Sequence, residues 1–257
     1  MGKPKKPNEM KNAFLAAIAL AVAACSSPEE AAWSVADGAY ERTSATTTQN
    51  GQVTENNQLE MKIYSGGRYM FAALDNDGVA NMGCGEAQWN EDGTMIEKPM
   101  FQGGMEVKDV SYTLAMAESE AGFSQSITGL VWNEDTLDLN EEWKLLSTVT
   151  SPYDGLWQLV AREVENDAIH DFNEIKMIGG GHFIWYHTYS TDTSSHADFG
   201  YGTFEVGEGG AVVETGMHSS IEGFTGASLT FQLIDDNTME QTYVQDSVAV
   251  TQRYTRL

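Results

Sequence analysis

The chain repeats itself. The stretch Glu60-Met61-Lys62-Ile63-Tyr64-Ser65-Gly66-Gly67-Arg68-Tyr69-Met70-Phe71 returns as Glu174-Ile175-Lys176-Met177-Ile178-Gly179-Gly180-Gly181-His182-Phe183-Ile184-Trp185. Self-similarity binds the architecture before any other signal, because both copies must satisfy one fold. The match extends outward. Asp37-Gly38-Ala39-Tyr40 corresponds to Asp154-Gly155-Leu156-Trp157, Gly83-Cys84-Gly85 to Gly200-Tyr201-Gly202, and Met95-Ile96-Glu97 to Val212-Val213-Glu214. Near the ends, Glu142–Leu146 corresponds to Arg253–Leu257. Two successive domains follow, 37–147 and 152–257, joined near Ser147–Pro152, where small polar residues and a proline suit a linker.

Within each copy, short apolar and aromatic runs alternate with turn signals. Gly202–Val206 is followed by Gly207-Glu208-Gly209-Gly210, and Leu229–Leu233 by Asp235-Asp236-Asn237. Short strands at close spacing predict an all-β fold, an antiparallel barrel or sandwich. The glycine runs precede strands, not helices, so they read as bends. A single helical turn is expected only at Trp33–Ala36. With 41% hydrophobic and 20% charged residues in 257, the chain can build a packed core.

The first 36 residues read differently. Basic residues end at Lys11, and an apolar run, Ala13–Ala24, follows, short for a membrane span but of signal-peptide length. Met10 is a plausible alternative start. The run closes on Val22-Ala23-Ala24-Cys25, which resembles a bacterial lipobox. The resemblance implies a signal peptide over 1–24, cleavage before Cys25, lipidation of Cys25 and a tether over 25–36. Ser26 after the cysteine is similar to the outer-membrane sorting pattern, so a lipid-anchored place in the cell envelope, at the outer membrane, is implied. Cys84 is then the one cysteine left, with no disulfide partner; with no histidine in its copy to activate it, it reads as a buried thiol. A formal net charge of −24 excludes nucleic acid as a partner.

Each copy resembles a small lipocalin-like β-barrel. The resemblance rests on Gly155-Leu156-Trp157, the lysine-bearing strand before His182-Phe183, Gly200–Phe204, Val213–Thr215 and the terminal Arg253–Leu257. It implies two tandem up-and-down antiparallel barrels. It also implies that Trp157 closes one barrel end under Arg253 or Arg256, with Lys144 over Tyr40 as the weaker equivalent. The first copy departs, with Tyr40 for the tryptophan and Ala87 for Phe204.

Function depends on what points inward. The odd positions Ile175, Met177, Phe183 and Trp185, like Met61, Ile63, Tyr69 and Phe71, form the more apolar face and are expected inside, with His187. Val212, Glu214, Gly216 and His218 share a face by period-two alternation, as do Met95, Glu97, Pro99 and Phe101. A glutamate thus recurs on an apolar face, either a hydrogen-bond hub or the polar anchor of a ligand. The favoured expectation is a small, mainly apolar ligand in the second barrel, held by Phe183, Trp185, His187, Phe204, Glu214, His218, Phe231 and Tyr254. A structural protein with filled barrels is the alternative. A metal-assisted enzyme using His187, His218 and Glu214 is a further one, though no tight ligand spacing supports it. No nucleophile elbow or phosphate loop is present, and no cofactor or metal is expected.

Overall fold

The computed structural model describes residues 33–56, 58–74, 79–132, 135–164, 169–245 and 247–257. The expected signal peptide, Cys25 and most of the expected tether lie outside the described residues. The first copy is made of β1 (Gly38–Gln49), β2 (Gln52–Asn56), β3 (Glu60–Ser65), β4 (Arg68–Leu74), β5 (Ala80–Trp89), β6 (Thr94–Gln102), β7 (Met105–Glu106), β8 (Tyr112–Glu118), β9 (Gly122–Trp132) and β10 (Asp135–Ser147). The second is β11 (Gly155–Val164), β12 (His170–Gly179), β13 (His182–Ser190), β14 (Ser195–Val206), β15 (Ala211–Ser219), β16 (Gly226–Asp235), β17 (Thr238–Gln245) and β18 (Val248–Arg256). Both sheets close on themselves: β18 pairs with β11, and β10 with β1. Each barrel is an antiparallel up-and-down closure of eight strands, with β2 and β7 as short additions to the first. Among the described residues the only helical element is a 3-10 turn at Glu208–Gly210; Trp33–Ala36 has no helical turn.

The two-residue turns at Gly66-Gly67 and Gly180-Gly181 have positive φ at both central positions, the conformation that matches hairpin twist and that glycine adopts without strain. They also decide which side chains enter the barrel. Across the second turn Ile178 pairs with Phe183, Lys176 with Trp185 and Glu174 with His187. Opposed residues share a face, so parity inverts from one strand to the next. The expectation that odd positions point inward therefore holds for Phe183, Trp185 and His187 and fails for Ile175 and Met177. Those two face outward, as do Met61 and Ile63, while Lys62 and Lys176 turn in. The outward residues are nonetheless buried, because this wall of each barrel lies against the other. Met61, Ile63, Met70, Ala72, Met82 and Cys84 of the first barrel share one apolar cluster with Ile175, Met177, Ile184, Tyr186, Phe199 and Tyr201 of the second.

The repeated Gly-x-Gly has a packing cause in both copies. A Cβ on Gly83 would lie 2.4 Å from the Phe71 ring, and one on Gly200 2.4 Å from the Trp185 ring. A Cβ on Gly85 would meet the Lys98 carbonyl at 2.1 Å, and one on Gly202 the Thr215 carbonyl at 1.9 Å. Beside the second glycine of each pair the facing strand carries an extra residue: the register shifts between Cys84 and Gly85, and again between Tyr201 and Gly202. Such a bulge flips every side chain beyond it. His218, expected to share the inner face of Glu214, therefore sits outside, its ring 5.7 Å from Phe199 and 5.5 Å from Tyr201. Phe101 is turned out in the same way and joins the cluster between the barrels.

Candidate functional site

The floor of the second barrel is aromatic. Tyr153, Trp157, Phe204, Phe231 and Phe183 are all buried there. The Trp157 Nε1–H donates to the Tyr153 carbonyl at 2.8 Å, and the Arg256 guanidinium lies 4.1 Å from the indole centroid. Arg256 also donates to the Asp154 carbonyl. Of the two arginines expected over Trp157, Arg256 is the one in place; Arg253 points outward to Glu240 at 3.0 Å. In the first barrel the Tyr40 hydroxyl donates to the Ala36 carbonyl at 2.8 Å, the same reach back of four residues. Lys144 does not cover it: Lys144 is exposed, because it alternates with the inward Trp143.

Above the floor lies a charged layer that carries the strongest constraint in each barrel. In the second, Lys176 Nζ is 3.2 Å from Glu214 and 3.7 Å from Glu174, and donates to Gln241 Oε1 at 2.7 Å. The Tyr254 hydroxyl donates to Glu174 at 2.7 Å, and Gln241 Nε2 donates to Gln252 Oε1 at 2.8 Å. In the first, Lys62 Nζ is 3.2 Å from Glu97 and donates to Gln125 at 3.3 Å, while the Tyr64 hydroxyl donates to Glu97 at 2.6 Å. Lys, Glu and Gln recur at matching positions, so the recurring glutamate sits in a hydrogen-bonded hub in both copies. Burial pushes the Glu214 carboxyl above its ordinary value, against the opposing pull of Lys176. Burial pushes Glu174 the same way, but Lys176, His187 and Tyr254 together outweigh it and hold it below.

The two layers differ at one paired position. In the first barrel Arg42 bridges Glu60 and Glu141, its Nη1 3.0 Å from Glu141 Oε1 and its Nη2 donating to the Gln58 carbonyl at 3.0 Å. The cross-strand registers place Leu159 where Arg42 is, and Gln252 where Glu141 is, with Glu174 for Glu60. An arginine–carboxylate pair has become a leucine and an amide.

The upper half of the second barrel is lined by rings, Trp185 buried and His187, Phe172 and Tyr189 half-buried. Trp185 stacks on His187 with centroids 4.7 Å apart, His187 meets Phe172 at 5.1 Å, and Tyr189 stacks on His196 at 4.7 Å. Phe224 packs edge-on against Trp185 at 5.4 Å, and the Arg162 guanidinium covers Phe172 at 4.8 Å. His187 stands 3.7 Å from Glu174 and 4.0 Å from Asp198. The first barrel has Phe71 and Ala73 where Trp185 and His187 stand, so the ring ladder belongs to the second copy alone.

Of the residues expected to line a ligand, Phe183, Phe204, Phe231 and Tyr254 lie in the floor and the charged layer, Glu214 in that layer, and Trp185 and His187 in the ring ladder. His218 is outside with the inter-barrel cluster. The metal arrangement of His187, His218 and Glu214 loses its geometry with it, and among the described residues no group of three or more His, Cys, Asp or Glu is placed to hold a metal ion. Lys176, Gln241, Gln252, Arg162 and Phe172 were missed. The signal for Lys176 was present: Glu-x-Lys recurs in both copies at positions a barrel must place on one face.

No family model matches the chain, and no curated protein matches it. One solved structure that it resembles is a protein of unknown function from the DUF3598 family of Nostoc punctiforme. The two are 10% identical, the match covers 86% of this chain and 96% of that one, and the TM-score is 0.26. It is the strand pairings that close the two barrels.

Proposed function

We propose that the chain is a lipid-anchored protein of the bacterial cell envelope, held at the outer membrane through Cys25. Its second, lipocalin-like barrel binds a small, mainly apolar ligand in its upper half. The observation that carries the reading is the ladder Trp185–His187–Phe172–Tyr189. It is an aromatic lining with polar tips, buried at Trp185 and half-buried beyond it, found above the charged layer of one barrel and lacking in its sister. Aromatic walls with a few polar groups are the ordinary composition of a small-molecule site. The floor and charged layer fill the lower half, so the site is shallower than an open lipocalin lumen. Titrating tryptophan emission with a panel of uncharged and anionic apolar probes tests the reading. Saturable quenching, lost in Trp185→Phe, is expected; a flat response across the panel refutes it. Palmitate incorporation abolished in Cys25→Ala tests the anchor.

One observation favours a second reading, a structural or interaction module. Both lumens hold large buried side chains at mid-height, Trp143 and Lys62 in one, Tyr254 and Lys176 in the other.

A further inference from the structure

The first two strands of each barrel stay paired for only four residues. β11 pairs with β12 over Gly155–Gln158, and β1 with β3 over Gly38–Glu41. Beyond those residues the two strands part and leave a slit in the wall. In the first barrel Arg42 closes it from within, tied to Glu60, Glu141 and the Gln58 carbonyl. In the second barrel Leu159 stands at that position and reaches none of these partners. The slit is there a cavity of about 300 Å³, lined by Leu159, Ala161, Arg162, Ile169, Phe172 and others.

A second observation lies beside that cavity, behind its lining residue Arg162. Gln252 is 1% exposed, and its Nε2 has no hydrogen-bond partner. Its Oε1 is turned to Gln241 on β17, so the amide nitrogen faces away from β17, toward β11 and Arg162, its cross-strand neighbour. That is where Glu141 meets the Arg42 guanidinium in the sister barrel. Replacing Arg42 and Glu141 by Leu159 and Gln252 has left a buried amide donor without an acceptor next to the slit. A buried donor without an acceptor is costly, and a guest that supplies the acceptor recovers that cost.

We propose that the β11–β12 slit is the entry and anchoring site for the ligand of the second barrel, and that this ligand is an uncharged, flat, apolar molecule carrying one carbonyl-type acceptor for Gln252 Nε2. This rests on the ligand-binding reading above. The charge of the site sets the class. Lys176 is already matched by Glu174 and Glu214, Arg162 is laid over the Phe172 ring, and the chain as a whole carries −24, so a guest with its own negative charge meets a repulsive field. The ring of Phe172 and the ladder beyond it receive the flat body of the guest, while the acceptor reaches inward past Leu159.

Nile red, uncharged and bearing one ring carbonyl, is the probe, with anilinonaphthalene sulfonate as its anionic counterpart. Nile red should bind the intact two-barrel protein with energy transfer from tryptophan, at least about tenfold more tightly than the sulfonate. Leu159→Arg, which rebuilds the seal of the first barrel, should weaken Nile red about tenfold or more, and Gln252→Leu roughly fivefold, the worth of one buried hydrogen bond. Should Leu159→Arg lose the native circular dichroism spectrum, Leu159→Phe blocks the same opening without a charge. Unchanged Nile red affinity in both the slit-blocking variant and Gln252→Leu overturns the slit while leaving ligand binding intact. Loss of stability without loss of affinity in Gln252→Leu assigns the donor to a water and overturns the anchoring. Equal affinity for the sulfonate overturns the uncharged class. No binding of either probe to the native protein removes the ligand reading and the slit together.

Discussion

Replacing Lys176 with methionine keeps an unbranched chain of similar length and removes one charge from the middle of the second barrel. Lys176 is 2% exposed and is the shared counter-ion of Glu174 and Glu214, at 3.7 and 3.2 Å. Breaking a buried ion pair by removing one partner costs about 3–5 kcal/mol, because the remaining charge stays buried without compensation. Two carboxylates lose their cation here, which puts the expected loss at the upper end, about 4–5 kcal/mol at pH 8. Glu214→Gln alone should cost only about 1 kcal/mol, since burial already holds that carboxyl above its ordinary value and a neutral amide still accepts from Lys176. In the double variant only Glu174 is left charged, and it keeps the Tyr254 hydroxyl. Its loss should be about 2–3 kcal/mol, a coupling of roughly 3 kcal/mol. The assay is urea unfolding followed by tryptophan emission and circular dichroism at pH 8 and pH 4. Without Lys176, Glu214 rises further above the ordinary 4.5 and Glu174 loses the largest pull that holds it below, so both take up protons more readily on acidification and the deficit shrinks at pH 4. A deficit below about 1 kcal/mol at pH 8, or one equal at both pH values, would refute the charged-layer account and leave lost packing as the cause.

Three further outcomes follow from the same geometry. Burial and the adjacent Glu141 push Glu60 from 4.5 up to about 7, against Arg42 and Lys62. A folded-state value above the unfolded one means its stabilising contribution is full below pH 4.5 and lost as pH rises through 7, about 3 kcal/mol in all. Melting temperature should therefore fall across that window in the native protein and fall less in Glu60→Gln; parallel profiles would contradict this. Gly202→Ala places a methyl against the Thr215 carbonyl and should destabilise by about 1–3 kcal/mol, measured by urea unfolding, whereas Gly207→Ala, with no contact under 3.4 Å, should cost less than 1 kcal/mol. The Cys84 thiol, fully buried and pushed up to about 12 by that burial, should resist a colorimetric disulfide reagent at pH 8 until the protein is unfolded; prompt reaction of the folded protein would show that the inter-barrel seam opens.

The duplication, the all-β class and the barrel closure were legible because repetition, turn glycines and short alternating runs are local properties. Orientation was legible only in part. Phe183, Trp185 and His187 point inward as their alternation suggests, but Ile175 and Met177 do not, since a two-residue turn pairs residues of opposite parity. His218 and Phe101 were misplaced because a bulge leaves no mark on its own strand; the mark lies on the neighbour, in Gly202 and Gly85. The outward wall was read as a lumen for a further reason. An apolar face signals burial without naming what buries it, and here the other barrel does so. The contrast between Arg42–Glu141 and Leu159–Gln252 was hidden because four residues from two distant strands must be superposed before it shows.

The seam between the copies has a polarity of its own. Where one copy offers Ala72, Met82 and Cys84, the other offers Tyr186, Phe199 and Tyr201 at the matching positions, bulk on one side and room on the other. Two first copies set face to face would enclose voids, and two second copies would collide. The duplicated halves have thereby become left and right hands: each fits its counterpart in preference to itself. Exchange between neighbouring molecules would still have to pair unlike halves, and drift along this wall is tied across the chain while the two interiors remain free to diverge.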